Sequence, residues 1–232
     1  MLRLSAEPAF VLHRRQYSET SLLLELYTAT QGRVGVLAKG ARGRHSTLPA
    51  LLQPFQPLRI EAAGRGELLR LAGVEADGPA IALAGQAALA GLYVNELMVR
   101  LCPRGDPHPR LHGRYERVLQ GLAEPASMAW ELRRFERDLL DELGYGGDYA
   151  RDASGGRIEG GMRYRLEPQS GFVGVADGEE GISGSALLAL ALDQSPPAAE
   201  LRELRKLLRQ LIAAHLEGEP LRSWGLWSGL PR

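Results

Sequence analysis

Residues 21–60, SLLLELYTATQGRVGVLAKGARGRHSTLPALLQPFQPLRI, constrain the fold more than any other part of the chain. Leu22–Thr28 and Arg33–Ala38 are short apolar runs rich in Leu, Val and Tyr, and the polar Ala29-Thr30-Gln31-Gly32 between them reads as a hairpin connection. The second run leads straight into Lys39-Gly40-Ala41-Arg42-Gly43-Arg44-His45-Ser46, a loop with three fixed cations, one histidine, two glycines and no acid. Clustered Lys and Arg without carboxylates suit a phosphate backbone, and glycine lets the main chain come close to a partner. An ordinary solvated hairpin tip is also polar, so composition alone leaves both readings open.

Around this hairpin the β-type pattern continues. Ala9–His13 precedes it, Leu58–Ala62 alternates, and Glu67–Leu71 follows a Gly64-Arg65-Gly66 turn. Leu48–Phe55 is apolar but broken by Pro49 and Pro54, which reads as a connector or an edge strand. Short strands with tight turns in residues 1–79 predict a small antiparallel barrel, and a five-stranded OB-type Greek key fits the size. Past Gly78-Pro79 the apolar period lengthens to three and four residues. Helices are expected over Ile81–Leu101, Leu111–Leu122, Ser127–Leu143, Ser183–Leu192 and Ala198–Leu216, with Gly144 as a C-cap. Residues 144–181 form a Gly-rich insert in which Met162–Leu166 and Gly171–Val175 can pair as a hairpin. The fold class is therefore α+β: an OB-fold barrel over 1–79 and a helical domain over 80–232 that carries a small Gly-rich β insert.

Charge and composition bound the function. The formal net charge is zero, yet residues 1–59 hold eight Lys/Arg against three Glu, a local net of +5. A basic first segment on a balanced body is compatible with a local nucleic-acid face. No run approaches the roughly 18–20 apolar residues of a membrane span, and the N-terminus lacks an apolar signal region, so a cytoplasmic protein is expected. The single cysteine, Cys102, excludes an internal disulfide and any multi-Cys zinc site.

Catalytic constellations are absent from the pattern, and the chain is not expected to be an enzyme. His108 and His112 are separated by Pro109 and lack the glutamate that a zincin helix places after its first histidine. They read as loop and helix-start residues. Gly64-x-Gly66 and Gly144-x-Gly146 lack the third glycine of a dinucleotide fingerprint, and no Walker A loop is present. Cys102, at the end of an apolar helix face, reads as a small buried hydrophobe. Glu136, Asp138, Asp141 and Glu142 alternate with Arg133, Arg134 and Arg137 as on a solvated, salt-bridged face.

Several motifs resemble the RecO family of bacterial DNA-repair proteins: Ala9–His13, Tyr17–Ser21, Gly32-Arg33-Val34, Ala38–Arg42 and Leu52–Leu58. The likeness continues through Gly91–Leu97, Leu132–Glu136, Leu143–Gly146 and Pro220–Ser223, in order along nearly the whole chain. The resemblance implies an N-terminal OB-fold, a helical body and a small insert after the Leu-Gly-Tyr motif. It also implies a recombination mediator of the RecF pathway, nucleoid-associated when engaged, that binds single- and double-stranded DNA and anneals complementary strands. With RecR it would help load RecA onto DNA coated by single-stranded DNA-binding protein (SSB), whose acidic C-terminal tail it recognises. Many members hold a four-cysteine zinc site just after Leu-Gly-Tyr. Here Asp152 and Gly155 stand where the first Cys-x-x-Cys pair would be, so a zinc-less member of the proteobacterial type, without a cofactor, is expected.

For the DNA site, Lys39, Arg42 and Arg44 are the candidate phosphate contacts, with Arg14, Arg15 and Arg33 from neighbouring turns. Tyr17 and Tyr27 are the candidates for base stacking, although a strand tyrosine also serves as core. For the SSB tail, which the resemblance implies is acidic with an apolar end, a receptor needs fixed cations beside an apolar cleft. Arg133 and Arg134 point about 100° apart on a helix, so one of them is expected at the rim of a groove lined by Leu132, Phe135 and Leu139. The alternative is that both pair with Glu131, Glu136, Asp138 or Asp141. Two rival classes share the basic loop: an RNA- or tRNA-binding OB adaptor, and a protein-interaction scaffold.

Overall fold

Alternate residues of a strand face opposite sides, which puts Leu22, Leu24, Leu26, Val34, Val36 and Ala38 on one side of the hairpin. In the computed structural model, which describes residues 1–176, 178–216 and 218–228, all six side chains line a single core. Asp177 of the Gly-rich insert and residues 229–232 at the end of the expected helical region lie outside the described residues.

The barrel follows from strand pairing. β1 (Leu2–Gln16), β2 (Leu22–Thr28) and β3 (Gly32–Ala38) pair antiparallel in succession. A short helix, α1 (Leu48–Leu51), leads to a second antiparallel pair, β4 (Leu58–Gly64) and β5 (Leu68–Ala76). β1 also pairs with β4, and β5 runs parallel to β3, so the ring closes in the order β1-β2-β3-β5-β4. This is an OB-like barrel. β1 extends well beyond the Ala9–His13 pattern because register shifts bend it, one of them between Leu4 and Glu7 beside Ala6 at φ 49°. Its first half then serves β4 and its second half β2. Leu48–Phe55 makes a helical turn rather than a strand, with a proline in its first positions, where the missing N–H costs no hydrogen bond.

Gly32 is required at the β2–β3 turn. Its φ is +61°, and an added Cβ would run into the Asp106 carbonyl oxygen.

The outward side of β1 and β2 is itself apolar at Phe10, Leu12 and Tyr27, and all three are buried. Their cover comes from α2 (Gly85–Leu101) and α3 (Pro109–Leu122). The Phe10 ring meets Tyr115 edge-on at 5.1 Å, and Tyr27 stacks on His112 at 5.8 Å. Fully burying side chains of this size contributes about 1.5–3 kcal/mol each. One polar pin fixes the register: the Asn95 amide donates to the Leu12 carbonyl at 3.1 Å, and the Tyr115 hydroxyl donates to the Asn95 amide oxygen at 2.6 Å.

The chain divides into two compact units, residues 1–125 with 218–232, and residues 126–217. The first holds the barrel, α2 and α3, so these two helices group with the barrel by contact although their sequence period groups them with the helices that follow.

The second unit contains α4 (Met128–Glu142), a three-stranded sheet of β6 (Arg163–Glu167), β7 (Gly171–Val175) and β8 (Ile182–Ser183) in the order β7-β6-β8, then α5 (Gly184–Ala191) and α6 (Ala198–Ala214). Its core joins Leu132, Phe135, Leu139 and Leu140 of α4 with Leu187 and Leu190 of α5 and Leu204, Leu208 and Ile212 of α6, all of them buried. α4 ends in a Schellman motif: Gly144, at φ 77°, donates to the Asp141 carbonyl and Tyr145 to the Leu140 carbonyl.

A last helix, α7 (Arg222–Ser228), belongs to the first unit. The Glu96 carboxylate of α2 accepts from the backbone N–H groups of Arg222 and Ser223 at 2.8 and 2.9 Å, which caps the start of α7. Among the described residues no helix is long and apolar enough to cross a membrane.

Candidate nucleic-acid interface

Register decides which cations meet. Gln16 lies opposite Leu22, and Leu22 lies opposite Ala38, so the end of β1, the Tyr17–Ser21 turn and the loop after β3 share one end of the barrel. Arg15, Lys39, Arg42 and Arg44 gather there, all exposed. Among the described residues no carboxylate stands within ion-pair distance of any of the four. Arg42 also ties the two loops together. Its backbone N–H donates to the Thr20 carbonyl at 2.9 Å, and its guanidinium donates to the Ser18 and Glu19 carbonyls, both at 3.2 Å. Tyr17 stands on the same turn and is 59% exposed.

Two of the six expected phosphate contacts are not part of this cluster. Arg14 shares the inward parity of its partner Leu24, and its guanidinium donates to the carbonyls of Pro49 and Leu52, holding α1 over the barrel. Arg33 lies six residues before Lys39, about 20 Å away along β3, at the opposite end. There it sits 3.5 Å from Glu25, whose carboxylate Arg104 also holds. Of the two stacking candidates, Tyr27 is fully buried, with its hydroxyl donating to the His108 carbonyl. Tyr17 keeps an open ring face.

On α4 the cations already have acids. Arg133, only 6% exposed, forms a bidentate pair with the buried Glu136, one turn further along, with Nε at 2.7 Å. Arg134 donates to both carboxylate oxygens of Asp193, at 2.9 and 2.7 Å, and to Glu131 at 3.1 Å. The Asp193 hydrogen bond holds the Arg134 pKa above its ordinary value. Leu132, Phe135 and Leu139 lie in the core rather than along an open groove. The geometry is that of the intrachain pairing alternative.

The insert after Leu-Gly-Tyr is organised by a carboxylate. One oxygen of Asp152 accepts from the Ser154 N–H at 2.9 Å, the Ser154 hydroxyl at 2.7 Å and the Gly156 N–H at 2.9 Å. These bonds, the Ser154 hydroxyl foremost, hold its pKa below the usual carboxylate value. With that oxygen occupied, Gly155 at the second position and no cysteine nearby, the residues do not fit a tetrahedral zinc ion. Among the described residues no three potential ligands cluster anywhere. His112 packs against Phe10 and Tyr27, and burial raises the Cys102 thiol to about 12, which keeps it protonated.

One feature of the second unit escapes sequence reading. A cleft of about 750 Å³ lies along β6 and α6, lined by Arg163, Arg165, Leu166, Glu203, Lys206 and Leu207 among others. Its only signal is the alternation of Arg163-Tyr164-Arg165-Leu166. Its charges are balanced, since Arg163 pairs with Glu203 at 3.0 Å, Arg165 with Glu167 at 3.2 Å and Lys206 with Glu180.

Comparison with known proteins agrees with this architecture. Residues 1–78 match the family model for the N-terminal part of recombination protein O, and residues 83–225 match the model for its C-terminal part. The chain is 44% identical to the DNA repair protein RecO of Xanthomonas euvesicatoria over 97% of both chains. It is 46% identical to the DNA repair protein RecO of Stenotrophomonas maltophilia over 94% of both. With both halves matched and nearly the full length aligned, the chain belongs to the RecO family and has its role in DNA repair and recombination.

Proposed function

We propose that this protein is a recombination mediator that acts by binding rather than by covalent chemistry. It grips the backbones of single- and double-stranded DNA at the loop end of the barrel, anneals complementary strands and, together with RecR, helps load RecA onto DNA coated by SSB. Annealing needs no catalytic group. It needs two strands held close, with their charge screened and their base edges free, which backbone contacts provide.

The observation that carries this reading is the gathering of Arg15, Lys39, Arg42 and Arg44 at the barrel end that holds the exposed Tyr17, with no acid paired to them among the described residues. For the acidic SSB tail the candidate contact on α4 is Arg134, the more exposed of its two adjacent arginines, which the tail would have to take from Asp193; Arg133 is committed to Glu136, and Leu132, Phe135 and Leu139 are core rather than groove.

The test is a salt titration of oligonucleotide binding by Lys39→Ala/Arg44→Ala, which spares Arg42 because Arg42 also holds the loops together. Losing two phosphate contacts lowers the slope of log K against log salt by about 1.5. An unchanged slope moves the DNA site off this loop. Equal or tighter binding of a matched RNA strand replaces the DNA reading with an RNA adaptor, and no salt-dependent retention at all leaves a protein scaffold.

A further inference from the structure

The pairing registers place one outward-facing row of side chains across four strands, next to the basic loop. Arg15 on β1 lies opposite Leu23 on β2, Leu23 opposite Leu37 on β3, and Leu37 opposite Arg70 on β5. Directly opposed residues share a face. The residues beside them in sequence, Leu24, Val36 and Leu69, are all core, so the row faces out. Leu23 and Leu37 are half-buried, whereas Arg15 and Arg70 are exposed. Adjacent strands are about 4.8 Å apart, so the two arginines flank the leucines at about 14 Å.

No hydrogen bond or ion pair engages Arg70 among the described residues. The nearest acid on this outward face of β2, Glu25, is already held by Arg33 and Arg104. Lys39 follows Leu37 by two residues, about 7 Å along the chain, so the row runs into the basic loop without a break.

We infer that this row is a single-strand subsite and that Arg70 is a phosphate contact. The inference rests on the DNA-binding reading of the adjoining loop and extends it across the barrel. Two cations beside an apolar strip match a strand whose phosphates lie to the sides and whose unstacked bases or sugars rest on the leucines. A duplex keeps its bases stacked inside and offers that strip nothing, so it gains from the loop cations alone. The row therefore sets a preference for single strands, which the loop by itself does not.

The experiment compares full-length wild type, Arg70→Ala, Arg70→Glu and the control Arg65→Ala. Arg65 is also exposed and, among the described residues, unpaired, but it lies outside the row. Binding of single-stranded and duplex oligonucleotides of equal length is titrated against salt. Arg70→Ala is expected to weaken single-strand binding several-fold and to reduce its salt slope by about 0.7. Duplex binding and the Arg65→Ala control should be unchanged, and Arg70→Glu should give a larger loss on single strands only. Equal losses on both substrates, or no loss for Arg70→Glu, overturn the subsite. Lys39→Ala/Arg44→Ala, run alongside, separates the two readings: if it loses binding and Arg70→Glu does not, the loop site stands and the row does not.

Discussion

Arg14 and Arg15, consecutive on β1, face opposite sides of the barrel wall: the Arg14 guanidinium donates to the Pro49 and Leu52 carbonyls at 3.0 and 3.1 Å, while Arg15 stands exposed opposite Leu23. The two therefore differ in what their loss does. Arg14→Ala forfeits charge-assisted bonds to two carbonyls and lowers stability by about 2 kcal/mol, with little change in DNA affinity per folded molecule. Arg15→Ala changes stability by less than about 0.5 kcal/mol and reduces the salt slope of DNA binding by about 0.7–0.9. Urea denaturation and oligonucleotide titration on the same preparations check both halves. Matching effects on DNA for the two variants contradict the assignment.

That pair marks the limit of sequence reading. The β2–β3 hairpin was legible because Gly32 and the alternation around it are local signals. The α4 boundaries were legible because its apolar period and Gly144 are local too. What depends on register was not. Arg33 and Lys39 are close in sequence, yet an extended strand carries them to opposite ends of the barrel. Arg70 joins Arg15 only because β5 pairs in parallel with β3 at Leu37, a contact between distant parts of the chain. Arg133 and Glu136 are spaced as a helical ion pair, but nothing local says that both are buried. Tyr27 has the look of a stacking residue until α3 covers it.

Arg133 and Arg134 should likewise separate. Arg133→Ala removes the bidentate pair with the buried Glu136 and destabilises the fold, by at most about 3–5 kcal/mol, so it reports folding rather than recognition. Arg134 is the informative position. An incoming acidic tail must displace Asp193, whose two oxygens hold the Nε and Nη2 edge of the guanidinium, while Glu131 holds Nη1. Asp193→Asn weakens that competitor, and since an exposed pair is worth about 0–1 kcal/mol, SSB-tail affinity should rise by up to about fivefold. Arg134→Ala should lower it about tenfold if the contact is charge-assisted. Fluorescence anisotropy with a labelled tail peptide reads both. If neither variant changes the affinity, the tail is seated elsewhere.

His112 supplies a pH dependence. Its ring packs against Phe10 and Tyr27, and among the described residues its Nε2 has no hydrogen-bond partner. Burial lowers its pKa below the ordinary value of 6.5, with Glu116 and Glu7 opposing the shift. The unfolded chain then binds the extra proton first as pH falls. The contribution to stability is complete above about pH 6.5 and is lost as the pH drops from there towards the folded-state pKa. Urea midpoints at pH 7.5 and 5.5 should show this loss in wild type, and His112→Phe should show less of it. An equal acid loss in the variant assigns the effect to carboxylates instead.

Asp152 closes by hydrogen bonding a turn of the kind that a metal ion can hold through thiolates. A zinc ion in a Cys-x-x-Cys turn fixes backbone positions by holding two thiolates. Here one carboxylate oxygen collects Ser154 and Gly156, the Asp152 N–H donates to the Gly156 carbonyl at 2.9 Å, and Ile158 returns to Ala150 at 2.9 Å. These bonds close the turn with groups of the chain itself. It follows that the purified protein should contain no stoichiometric zinc, and that EDTA should not change its trypsin sensitivity at Arg151 and Arg157, which flank the hub. Asp152→Ala removes the carboxylate acceptor at the centre and should speed cleavage at both sites. Asp152→Asn keeps one acceptor oxygen and should fall between the two. Because the hub's hydrogen bonds hold the Asp152 carboxyl below the usual value, acidification to about pH 4.5 should leave it ionised and the loop intact. Elemental analysis near one zinc per chain, or cleavage that accelerates on adding EDTA, would sink the account and return the insert to metal control.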